Sequence, residues 1–148
     1  MPGTIRLHRV LHTKPDRVYR AFTDSDAKCK WLPPNGFTGK MHHNDVRVGG
    51  SYKMSFTNFT TGSSHSWHGE YVELKPNERV CYVDKFDDPN LPGAMKVTVD
   101  IKPVSCGTEI TIVQDGVPDM IPVENCYLGW QESLVLLEKL VGPEIPDA

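Results

Sequence analysis

The chain has 148 residues, of which 39% are hydrophobic and 24% charged, a composition typical of globular proteins and not of disordered or fibrous ones. Sixteen lysines and arginines against nineteen aspartates and glutamates give a net charge of −3, and the absence of a basic stripe argues against a nucleic-acid partner. No apolar run approaches the roughly 20 residues that cross a bilayer, and the first residues lack the apolar segment of a secretory signal. We therefore expect one domain over residues 1–148, no membrane span and a cytoplasmic location.

The first forty residues predict a strand followed by two helices. Apolar and polar residues alternate loosely over residues 4–12, which indicates the strand. Thr13 is predicted to be an N-cap, with Pro15 in the first helical turn. A short second helix is expected to end near Trp31. The inward residues of the first helix follow helical spacing and are Val18, Ala21 and Phe22.

In the middle of the chain, apolar and polar residues alternate with a period of two, which predicts an antiparallel sheet. The clearest case is residues 51–56, where the apolar residues share one face and Ser51, Lys53 and Ser55 the other. Turn-forming residues separate the segments. The six predicted strands cover residues 37–43, 51–56, 65–74, 79–86, 95–102 and 108–115.

The last segment returns to helical spacing and predicts one long amphipathic helix over residues 121–141. Its apolar stripe must be buried against a sheet face, because neither surface is stable in water. The expected fold is therefore α+β, in the order β-α-α-β6-α, with a seven-stranded curved antiparallel sheet wrapped on the C-terminal helix. A gap between helix and sheet would hold a ligand. The stripe consists of Val123, Tyr127, Trp130, Leu134, Leu137 and Val141.

Six separated blocks carry a family resemblance that extends over most of the chain. They include VYRAFTD at 18–24, KWLP at 30–33, DVRVGGSY at 45–52, GEYVEL at 69–74, GTEITI at 107–112 and the pair Gly129-Trp130. In order and spacing these blocks resemble the activator of Hsp90 ATPase homologue (Aha1-like) family of the START/Bet v 1-like helix-grip superfamily. The resemblance implies a helix-grip fold, whereas function has to be argued from the site, because proteins of this superfamily differ widely in activity.

Cysteine and histidine spacing predicts neither a metal site nor a cofactor. The four cysteines are widely separated and form no C-x-x-C pair, so we expect reduced thiols. His42 and His43 are neighbours on a strand and point to opposite faces, as do His65 and His68 if their strand is regular.

The sequence gives little indication of catalytic chemistry. No serine lies in a Gly-x-Ser-x-Gly turn, and no cysteine context favours a thiolate. General acid–base catalysis would require Glu70 or His68 to point inward. Asp45 and Arg47, before a Gly-Gly turn, are candidate polar anchors for a ligand, with the alternative that they only stabilise the turn.

Aromatic and sulfur-containing side chains indicate where a ligand would bind. Those on the predicted inner face bring polar tips into an apolar space, which suits an amphipathic ligand. The alternative is that these side chains simply fill the core. The predicted cavity wall consists of Trp31, Tyr52, Met54, Phe56, Trp67, Tyr71, Met95, Val97 and Trp130.

Three functions remain open at this stage. The first is non-enzymatic binding of a small apolar or amphipathic ligand in the groove. The second, implied by the resemblance, is a co-chaperone that docks on an Hsp90-type chaperone, although the eukaryotic activator joins such a domain to a separate one. The third is a cyclase or dehydratase acting on a polyketide-like substrate, which requires inward acid–base groups.

Overall fold

A computed structural model of the chain describes residues 3–147; Met1, Pro2 and Ala148 lie outside this range. The predicted order of elements is confirmed. The three helices are α1 (Pro15–Thr23), α2 (Ser25–Trp31) and α3 (Val123–Val141). The seven strands are β1 (Gly3–Leu11), β2 (Phe37–Asn44), β3 (Ser51–Asn58), β4 (Ser64–Lys75), β5 (Arg79–Phe86), β6 (Met95–Val104) and β7 (Gly107–Val117).

All seven strands form one antiparallel sheet in the order β1-β7-β6-β5-β4-β3-β2. Strands β2 to β7 form a meander, and β1 pairs with β7 at the far edge. The helices α1 and α2 connect the two opposite edges, while α3 lies against the inner face. This is the helix-grip arrangement that the sequence predicts. None of the helices in the described range is long and apolar enough to cross a membrane.

The C-terminal helix is buried along only part of the predicted stripe. Its second half is buried through Leu134, Leu137 and Val141. Val123 and Tyr127, predicted on the same stripe, are 37% and 38% exposed. Neither residue lines the cavity beneath the first turns of α3, where Cys126, Gly129 and Trp130 face the sheet instead.

The prediction that Thr13 caps α1 is wrong. The N-cap is Lys14, whose side chain makes no capping bond, while Pro15 occupies the first turn as expected. The Thr13 hydroxyl instead donates to the carbonyl of Val141, 2.7 Å away, and Arg17 Nε donates to the same oxygen at 2.9 Å. Because the last carbonyls of a helix have no partner within the helix, these bonds tie the end of α3 to α1.

Candidate functional site

A cavity of about 290 Å³ opens between the inner sheet face and the first half of α3. This volume is at the lower end of the range usual for small-molecule sites. Residues of β2 to β7 form one side, and α3 with the segments before it and after α2 forms the other. The aromatic lining residues are Phe37, Phe56, Trp67, Tyr82, Phe86 and Trp130.

Aromatic contacts between neighbouring strands build the wall of the cavity. The rings of Phe56 and Trp67 meet edge to face with centroids 4.5 Å apart, and Phe37 packs on Phe56 at 6.3 Å. Such edge contacts hold aromatic rings in fixed orientations. The wall is therefore apolar, and its rings pack directly on one another.

Gln114 supplies one polar group on the inner face. Its Oε1 accepts hydrogen bonds from Trp130 Nε1 at 2.9 Å and from Cys126 Sγ at 3.2 Å. Its Nε2 donates to the Met95 sulfur at 3.5 Å. Burial raises the pKa of the Cys126 thiol, so this group stays a neutral donor. Gln114 thus connects α3 to the sheet at the cavity, because buried polar groups need hydrogen-bond partners.

Asp84 supplies the second polar group, and the strand register explains how it is held. Tyr52, Gly69 and Asp84 lie side by side on β3, β4 and β5. The Tyr52 hydroxyl donates to Asp84 Oδ1 across the glycine between them. A Cβ at position 69 would lie 2.4 Å from the Tyr52 Cζ and 2.6 Å from Asp84 Oδ1. A residue without a side chain is therefore required there.

A buried lysine completes this polar cluster. The Lys28 ammonium lies 4.7 Å from the ring centroid of Tyr52 and 4.9 Å from that of Tyr82, a cation–π arrangement. Burial lowers the pKa of Lys28, and the negative charge of Asp84 offsets part of that effect. Burial also raises the pKa of Asp84 to about 6, against the opposing influence of the Tyr52 hydrogen bond and the Lys28 charge.

Four of the nine predicted wall residues line the cavity: Phe56, Trp67, Met95 and Trp130. The other five are fully buried and lie outside the lining: Trp31, Tyr52, Met54, Tyr71 and Val97.

The reason is that only one end of the groove is open. At the closed end, Trp31 packs edge-on against Phe22 with centroids 4.8 Å apart and donates to the carbonyl of Ala21 at 2.8 Å. The Tyr71 hydroxyl donates to Asn44 Oδ1 at 2.6 Å. These side chains are satisfied within the protein and fill the core.

The predicted polar anchors lie away from the cavity. Arg47 Nε donates to Asp45 Oδ2 at 2.7 Å, and both side chains are exposed in the connection between β2 and β3. Backbone bonds from Arg47 N to the Asp45 carbonyl and from Gly50 N to the Arg47 carbonyl shape the turn. Here the two charged residues serve each other and the turn.

The alternation of side chains along β4 also determines which face of the sheet its histidines and acids occupy. His65 lies at the cavity, whereas His68 points to the outer face, where its Nδ1 is 2.7 Å from Asp87. Glu70 is exposed on the same outer face as His68. Within residues 3–147, no group of three or more His, Cys, Asp or Glu side chains could hold a metal ion.

Sequence reasoning missed Asp84, Gln114 and Lys28. The signal for the first two was strand parity: Asp84 alternates with Tyr82, and Gln114 follows Ile112 by two residues. Both therefore belong to the inner face despite their polarity. Lys28 precedes Trp31 by three residues and so shares its helix face.

Comparison with known proteins agrees with this geometry. The sequence model of the family described as "Activator of Hsp90 ATPase homolog 1-like protein" matches residues 12–142. The chain belongs to this family. No match to a curated protein sequence was found.

Solved structures similar to this chain come from several bacteria. A protein from Chromobacterium violaceum is 57% identical, with a TM-score of 0.95 over 97% of this chain and 100% of that one. A protein from Nitrosomonas europaea is 22% identical, with a TM-score of 0.80 over 93% of each chain. One from Rhodobacter sphaeroides is 19% identical, with a TM-score of 0.80 over 95% of each chain. The last two show the shared fold alone.

Proposed function

We propose that this chain binds a small apolar or amphipathic molecule in the cavity between α3 and the sheet. The observation that supports this most strongly is a cavity of about 290 Å³ with an aromatic wall and the polar side chains of Asp84 and Gln114 at its surface. Sites of this kind use apolar walls for affinity and a few polar groups for orientation.

A glycine within α3 supports the same proposal. Gly129 lines the cavity, and a Cβ built there meets no atom within 4 Å. Glycine in a helix interior costs about 1 kcal/mol relative to alanine. Since packing does not require a glycine here, its effect is to leave space open beside Cys126 and Trp130.

The test uses this position to fill the cavity. The parent is titrated with N-phenyl-1-naphthylamine, a neutral apolar fluorophore, and saturable binding is expected. In Gly129→Phe the added ring occupies the cavity, and binding should weaken at least tenfold while cooperative unfolding is retained. Gly129→Ala is the matched control and should bind like the parent. Absence of saturable binding to the parent, or equal binding by Gly129→Phe, would contradict the proposal.

The family description and an exposed apolar surface on α3 favour a second candidate, docking on an Hsp90-type chaperone. Leu128 and Val135, one helical heptad apart, are 55% and 42% exposed, and Tyr127 lies beside them. Stimulation of the ATPase of a bacterial Hsp90 by the parent, abolished in Leu128→Asp, would support this candidate. Unchanged ATPase activity would count against it.

The inward carboxyl of Asp84 is the observation that keeps a third candidate, a cyclase or dehydratase. An enzyme of this class would convert a polyketide-like substrate and not merely retain it. Mass spectrometry of such a substrate after incubation with the protein distinguishes conversion from simple binding. Recovery of unchanged substrate would eliminate this candidate.

A further inference from the structure

The Asp84 carboxylate has an acceptor position directed at the cavity. In the described residues, its one hydrogen-bond donor is the Tyr52 hydroxyl, which bonds Oδ1. No buried side-chain nitrogen or oxygen of residues 3–147 is without a partner. The second carboxylate oxygen is therefore accessible from the cavity that Asp84 lines.

The charges around Asp84 restrict what can bind there. Lys28 approaches the carboxylate from α2, and His68 acts on it only at long range from the outer face of β4. The hydroxyls of Tyr52, Tyr71 and Tyr82 also face this region. An anionic head group would be repelled by Asp84, and the buried ammonium of Lys28 offsets the attraction of Asp84 for a cationic one. A neutral hydrogen-bond donor is subject to neither effect.

We infer that Asp84 is the polar anchor of the cavity and accepts a hydrogen bond from the hydroxyl of a neutral aromatic alcohol or phenol. This inference rests on the proposed binding function. The aromatic part of such a ligand suits a wall made by Phe56, Trp67, Phe86 and Trp130. A buried carboxylate makes a stronger hydrogen bond than a neutral acceptor does, so it discriminates well between ligands with and without a donor.

The test compares 2-naphthol with 2-methoxynaphthalene, which has nearly the same shape but no hydroxyl donor. At pH 8 the parent should bind 2-naphthol about tenfold more tightly or better, as expected for a hydrogen bond to a charged group. Asp84→Asn should lose most of this preference while still binding 2-methoxynaphthalene. Asp87→Asn, which changes an exposed carboxylate on the outer face, is the control and should keep the preference.

The pH dependence gives a second measurement that needs no variant at Asp84. Because the pKa of Asp84 is raised to about 6, the preference for 2-naphthol should fall as pH is lowered from 8 to 5. Binding of 2-methoxynaphthalene should stay constant. In Tyr52→Phe the midpoint of this change should move to higher pH, because the Tyr52 hydroxyl normally holds the Asp84 pKa down. This measurement also decides the question if Asp84→Asn does not fold.

The outcomes separate this inference from the proposed function. Equal binding of both naphthalenes would overturn the anchor and leave cavity binding intact. Binding of neither would overturn both. Tighter binding of protonated 2-(aminomethyl)naphthalene than of 2-naphthol would overturn the assignment of a neutral donor.

Discussion

Replacing Gly69 by alanine tests the arrangement at the base of the cavity. The new methyl group would lie 2.4 Å from the Tyr52 Cζ and 2.6 Å from Asp84 Oδ1, closer than non-bonded atoms tolerate. The tyrosine ring, fully buried on the inner face of the sheet, must then move away. We expect the hydrogen bond from the Tyr52 hydroxyl to Asp84 to be lost or distorted.

The expected destabilisation combines two effects. Overpacking a filled core by one methyl group costs about 1–3 kcal/mol, and weakening a buried hydrogen bond to a charged group costs about as much. Reduced entropy of the unfolded chain offsets about 0.4–1 kcal/mol. The free energy of unfolding of Gly69→Ala should therefore fall by about 2–4 kcal/mol, measured by urea titration with circular dichroism and tryptophan fluorescence.

The matched control is Gly129→Ala, the same substitution at an open position. There a Cβ meets no atom within 4 Å, and alanine is the better helix former, so stability should rise by about 0.5–1 kcal/mol. A Gly69→Ala protein within 0.5 kcal/mol of the parent would refute the proposed close contact of Tyr52 with Asp84 over this glycine. Destabilisation by Gly129→Ala would refute the open space on α3.

Three further measurements test other parts of the structure. The pKa of Asp84 rises from 3.8 to about 6 on folding, so its contribution to stability is largest below pH 4 and is lost as pH rises to 6. Relative to Asp84→Asn, the parent should lose about 3 kcal/mol of unfolding free energy across this window. A constant difference between the two proteins would contradict the burial of this carboxyl. Trp130→Phe keeps a ring at the cavity but removes the donor to Gln114, and urea titration should show a loss of about 1–3 kcal/mol; an unchanged stability would mean that this bond contributes nothing. Alkylation of the denatured protein without reductant should label four thiols, and two or fewer would show a disulfide.

The architecture could be predicted because the spacing of apolar residues in each helix and strand matches the face that the element buries. Alternation in β3 separates Tyr52 and Met54 from the exposed Ser51, and the stripe of α3 is buried where Leu134 and Leu137 meet the core. These patterns arise from burial on one face, which any helix packed on a sheet imposes.

The extent of the cavity was not predictable from these patterns. Parity assigns a residue to the inner face but does not say whether another element fills the space above it. Trp31 and Tyr71 belong to the closed end because Phe22 and Asn44, distant in sequence, supply their partners. Phe56 and Trp67 have the same parity yet line the open end. The difference depends on tertiary packing of α1 and α2.

The two polar side chains on the inner face show where packing alone does not account for the sequence. Burial of an amide or carboxylate is unfavourable unless hydrogen bonds compensate it. Gln114 is compensated by the protein itself, through Trp130, Cys126 and Met95. Asp84 is compensated only in part, by Tyr52 and the nearby charge of Lys28, and it keeps an acceptor toward the cavity. A leucine at this position would leave the Tyr52 hydroxyl and the Lys28 ammonium without their partner. The carboxylate is therefore required within the cluster, and the acceptor that it keeps toward the cavity is the one that the proposed ligand would use.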